Sequence, residues 1–157
     1  MIGLIEKDDL DAEITLRSYG IDEFIILDQG NIFQKIIFFF KAFNLVKNLG
    51  TIDNLLKLKF GKIHMGKITY DHYVRHTGIV DLTSINFKIC HLLSQALYMN
   101  YFFETKIKKK YEIQGAVQSE TQFLPSCVFF QNFLKNRYKV YARNGDHNKV
   151  SIRVYEN

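Results

Sequence analysis

A chain of 157 residues, 47% hydrophobic and 24% charged, has the apolar content of one ordinary globular core, which argues against disorder. A single proline permits long helices, and Cys90 and Cys127, far apart and without C-x-x-C or histidine spacing, read as buried free thiols rather than a disulfide or metal site. The formal charge of +5 suits nucleotide phosphates, nucleic acid or an acidic membrane face, but is equally that of a merely soluble protein.

In chain order, Glu6, Lys7, Asp8 and Asp9 cut off the only early apolar residues, so the opening does not read as a secretory signal. DDLDAEITLRSYG then spaces Leu10 and Ile14 on one helical face and stops at Gly20. IDEFIILD predicts a short buried strand from Ile21 to Asp28. Asn31 caps a helix that ends at Gly50 and is apolar around most of its circumference; its run Ile36 to Phe40 is too short to span a bilayer. Thr51 caps a further helical piece.

After GKITYDHYVRHTG, a long helix from Leu82 to Lys110 is predicted, with Thr83 or Ser84 as its cap. The lysines of KIKKK at its end match the helix dipole better than they match a nucleic-acid patch. A strand at Ile113 to Gln118, a helix over TQFLPSCVFFQNFLKNRY with Pro125 in its first turn, and two strands joined through Asn144, Gly145 and Asp146 complete the pattern. This order predicts one α/β domain over residues 1–157, with an open, mostly parallel Rossmann-like sheet flanked by helices. No GxGxxG or Walker pattern occurs, and the first expected strand follows a helix, so the N-terminal edge of the sheet reads as missing.

The polar residues concentrate in GKITYDHYVRHTG, Gly66 to Gly78. As a helix it puts Tyr70, Tyr73 and Thr77 on one face, pairs Asp71 with Arg75 at i, i+4, and sets His72 and His76 together. An exposed Asp71–Arg75 pair would contribute only about 0.3–0.5 kcal/mol. Two histidines without a third ligand argue against a metal. Ser119, Glu120 and Thr121 form a second cluster where a strand meets a helix, the end at which open α/β sheets bind ligands; Thr121 fits a helix cap equally well. Arg143 to Asp146 reads as a turn.

The run G-K-I-T-Y-D-H-Y-V-R resembles the G-x-x-I-Y-D-x-Y-L-R segment of bacterial surface and capsular polysaccharide biosynthesis proteins, glycosyltransferase-like chains of GT-B architecture, with Gly66, Tyr70, Asp71, Tyr73 and Arg75 matching. Lys67 departs from an acidic residue often found there, and Val74 replaces leucine. The resemblance covers Gly61 to Tyr155 and implies the acceptor-side, N-terminal half of a cytoplasmic sugar transferase, peripheral at the inner membrane, with the nucleotide-sugar domain supplied elsewhere.

On that reading Asp71 and Glu120 are catalytic, while Tyr70, Tyr73, Arg75 and Ser119 bind a nucleotide sugar or glycan acceptor. No cofactor, metal or nucleic acid is expected; a second transferase domain or a second copy is. The alternative is a non-catalytic interaction domain whose Ile36 to Phe43 surface docks another protein or a membrane, leaving part of Phe38, Phe39 and Phe43 exposed.

Overall fold

The computed structural model describes residues 2–6, 10–27, 30–80, 84–118, 121–144 and 151–156. Two compact units divide the chain, Met1–Ile32 and Phe33–Asn157.

The first unit is one strand–helix–strand turn. Strands β1 (Ile2–Glu6) and β2 (Glu23–Leu27) pair in parallel, Ile2 opposite Glu23 through Glu6 opposite Leu27. Parallel pairing requires a crossover, supplied by helix α1 (Leu10–Ser18). Arg17 grips Glu13 one turn back at 2.8 Å, and Gly20, at φ +76°, stops the helix and turns the chain into β2. Strand β1 is a correction to the sequence reading, which began the sheet after a helix. Its five residues carry no alternating pattern; they form a strand by pairing with β2, and Gly3 leaves the space that Phe24 and Leu16 fill. A Cβ at Gly3 would stand 2.8 Å from the Phe24 ring.

The second unit is mostly helical. Helix α2 (Ile32–Leu49) is followed by α3 (Ile52–Leu56), where Thr51 Oγ1 accepts from the Asn54 N–H at 3.3 Å in the expected cap, and then by α4 (Met65–Thr77). Helix α5 (Phe87–Phe102) runs on into a π-helical turn, Phe103–Ile107. The cap of α5 is Asn86, not Thr83 or Ser84: its Oδ1 accepts from Ile89 N–H at 3.0 Å. Strand β3 (Gly115–Gln118), helix α6 (Ser126–Lys135) and strand β4 (Lys139–Asn144) form a second parallel unit, and β5 (Ser151–Tyr155) closes antiparallel on β4 with Asn144 opposite Ser151. The turn residues Gly145 and Asp146 lie outside the described residues.

The core of this unit lies between α5 and α6. Phe103 and Phe129 are fully buried with ring centroids 6.2 Å apart, and Phe133 meets Phe103 edge-on at 5.1 Å. Val140 and Ala142 of β4 are buried on the side of the sheet where α6 packs. On the other side of α5, Phe38 of α2 meets Tyr98 edge-on at 5.5 Å. Glu104 of the π turn bonds Lys135 of α6 at 3.0 Å and Lys108 at 3.3 Å.

The molecule is therefore mixed α/β, but among the described residues the open Rossmann-like sheet expected from the strand–helix order is not seen. Among the described residues the strands fall into sheets of two and three. The physical reason is the connection between β2 and β3. A doubly wound sheet carries one crossover helix there, whereas this chain inserts α2, α3, α4 and α5, of which α4 packs on α3 and α5, and α2 meets α5 through Phe38.

Candidate functional site

Helix α4 and its C-cap Gly78 carry the run GKITYDHYVRHTG, and the two glycines of that run have separate tasks. A Cβ on Gly66 would fall 1.6 Å from the Leu55 carbonyl oxygen, so only glycine lets α4 start against α3; its N–H donates to Leu58 O at 3.1 Å. Gly78, at φ +69°, ends the helix and returns its N–H to Val74 O at 2.7 Å. The aromatic and hydroxyl side chains between them mostly hold the helix in place. Tyr73 is 4% exposed, and its hydroxyl accepts from Asn86 Nδ2 at 2.9 Å, which ties α4 to the cap of α5. Tyr70 donates its hydroxyl to Val80 O at 2.5 Å, and Thr77 Oγ1 donates to Tyr73 O at 2.8 Å.

The opposite stripe of α4 faces a cleft. His64, Lys67, Ile68, Asp71 and Arg75 recur at helical spacing and, with Thr121 and Gln122 beyond β3 and Cys127 and Gln131 on α6, line about 390 Å³ of open volume. Gln131 Oε1 accepts from the His64 N–H at 3.0 Å, pinning the start of α4 to α6. Arg75 does not form the expected pair with Asp71. Its guanidinium donates to Gln122 Oε1 and lies 4.5 Å from the centroid of Phe123, so the loop after β3 competes successfully for the cation.

Beside the cleft, the His72 and His76 rings lie with centroids 4.3 Å apart and planes tilted by 59°, and His72 Nδ1 accepts from the Leu124 N–H at 3.4 Å. Burial first, and then repulsion from His76, hold His72 below the ordinary imidazole pKa.

The six residues expected to form the site thus divide. Asp71 and Arg75 line the cleft, Tyr73 points to α5, and Tyr70 is tied to Val80. Ser119 and Glu120 lie outside the described residues. Thr121 does not cap α6, which begins five residues later at Ser126 with Pro125 in the cap position; it lines the cleft instead.

His64, Lys67, Gln122 and Gln131 were not anticipated. Lys67 is signalled only by its place one turn before Asp71, and the other three require knowing how α6 and the loop pack on α4.

The arrangement offers two cations, Lys67 and Arg75, one carboxylate, Asp71, and the hydroxyl and amides of Thr121, Gln122 and Gln131, over an apolar floor of Ile68 and Cys127. Such a lining suits a small hydroxylated anion, and the volume falls in the usual range for small-molecule sites. The cleft lies just past the carboxyl end of β3, which runs parallel to β4, the end at which parallel α/β units present their ligands. Among the described residues no three His, Cys, Asp or Glu side chains come together as a metal site.

Comparison with protein-family models, curated protein sequences and solved structures finds no match for this chain.

Proposed function

We propose that the chain is a glycosyltransferase-like domain of bacterial surface-polysaccharide assembly, the acceptor-side half of a sugar transferase working on the cytoplasmic side. The observation that supports this is the joint presence of Asp71 and Arg75 in one cleft past the end of β3. In this reading Lys67 and Arg75 hold the phosphate of a sugar, with Arg75 passing from Gln122 to the ligand, and Asp71 accepts hydrogen bonds from sugar hydroxyls. Glu120, two positions beyond the last residue of β3, supplies the base that takes the proton from the attacking acceptor hydroxyl. The cations stabilise the diphosphate as it leaves the anomeric carbon. Tyr70 and Tyr73 support the helix rather than stack on the sugar.

Calorimetry with uridine-diphosphate and cytidine-monophosphate sugars tests the binding step. Wild type binds at least one donor or its free phosphate moiety, and Arg75→Ala weakens that binding about 10- to 100-fold, the loss of a charge-assisted contact. With a complete enzyme, Glu120→Gln abolishes transfer and leaves stability changed by less than about 1 kcal/mol. Binding that is absent, or equal in Arg75→Ala, overturns the reading.

A further inference from the structure

Helix α2 has two apolar faces, and only one is used within its own unit. Phe38 and Ala42 are buried, with Phe38 packed on Tyr98 and Tyr101 of α5 at 5.5 and 5.4 Å. On the opposite side Phe33, Ile36, Ile37, Phe40 and Phe43 are 73, 48, 51, 59 and 50% exposed. Their spacing of three and four makes one stripe along the helix. Phe87, 75% exposed, sits beside it, its ring 5.3 Å from Phe39. Scattered exposed apolar residues are ordinary, but a continuous ridge of large rings along three turns is not.

The charges around this ridge identify what covers it. The eighteen residues of α2 include Lys35, Lys41 and Lys47 and no acidic residue, and Lys88 follows Phe87. Lys47 lies four residues beyond Phe43 on the exposed side, and Lys41 is exposed with its ammonium 4.9 Å from the Phe38 ring. A second copy of the chain docked on this face would set lysines against lysines. No helix of the described residues is long and apolar enough to cross a membrane. A ridge of phenylalanine and isoleucine on a helix whose charged residues are all lysines is the pattern of a helix that lies in the plane of an anionic bilayer, rings among the acyl chains and ammonium groups among the phosphates.

We infer that α2, with Phe87 and Lys88 at its side, is a peripheral membrane-binding surface for anionic lipid. This rests on α2 alone and is independent of what the cleft binds.

The test is co-sedimentation of the full chain with vesicles of phosphatidylglycerol mixed with phosphatidylcholine, compared with phosphatidylcholine alone. The wild type partitions onto the anionic vesicles at least about tenfold better, and the preference fades in molar salt, where the screening length falls to about 3 Å. The double substitution Phe33→Ser, Phe40→Ser lowers partitioning about tenfold or more without moving the unfolding midpoint, because both rings are exposed, and Lys47→Glu with Lys88→Glu removes the anionic preference. Asp71→Asn leaves vesicle binding unchanged, which separates this surface from the cleft. No binding of wild type to anionic vesicles, equal binding by the double variant, or a dimer in sedimentation velocity that Phe40→Ser splits would each overturn the inference.

Discussion

Gly66 shows how one position sets a local architecture. Its missing side chain is where the Leu55 carbonyl sits, and backbone cannot swing aside as a lysine tip can. Gly66→Ala therefore forces α3 away from α4 and costs at least about 2 kcal/mol, read as a lowered midpoint in urea with an unchanged slope. That Gly66 opens a polar run is legible in the sequence; the helix-to-helix contact that requires a glycine there is not.

His72 acts at the same scale. With its folded pKa below the unfolded value of about 6.5, the unfolded chain takes up the proton first as pH falls. Stability from this group is thus complete above about pH 6.5 and declines as pH drops from there towards the lower folded value, when protonation also removes the Nδ1 acceptor of the Leu124 N–H. Equilibrium unfolding across pH 5 to 7.5, approximate limits set by the histidine range, shows this slope in wild type and a flatter one in His72→Gln.

At the scale of elements, α4 is held by its neighbours more than by its own sequence. Asn86 does two jobs: Oδ1 caps α5 through Ile89, and Nδ2 holds the Tyr73 hydroxyl. Asn86→Ala loses both and destabilises by about 1.5–3 kcal/mol, whereas Tyr73→Phe removes only the second and costs about 0.5–1.5 kcal/mol. Thermal unfolding of the two variants separates the contributions, and equal losses would mean that the cap carries nothing.

Periodicity and punctuation were enough to place α1, β2, α2, the Thr51 cap, the body of α6 and the β4–β5 pair, because Gly20, Gly50 and Thr51 mark boundaries by local chemistry. They failed where the signal is tertiary. The start of α5 moved from Thr83 or Ser84 to Asn86 because the cap that also reaches Tyr73 wins. The start of α6 moved to Ser126, which released Thr121 from capping and placed it in the cleft wall. Arg75 likewise had two partners in reach, Asp71 by helical spacing and Gln122 by the fold, and only the structure chooses between them.

For the whole molecule, strand–helix order correctly predicted mixed α/β character and parallel pairs but overestimated the sheet. Two parallel units, β1–α1–β2 and β3–α6–β4, are separated along the chain by four helices, and sequence order alone does not reveal that α4 packs on α3 and α5 or that α5 packs on α6. The polar cleft is lined by α4, by Thr121 and Gln122 of the segment after β3, and by α6.

The central claim, that this cleft takes a phosphorylated sugar, is tested most directly by amide chemical-shift mapping during titration with uridine-diphosphate sugars. Shifts are expected to concentrate at His64, Lys67, Asp71, Arg75, Thr121, Gln122 and Gln131, and in Arg75→Ala to need about 10- to 100-fold more ligand. Shifts absent throughout, or clustered away from α4 and α6 and unaffected by that substitution, would contradict it.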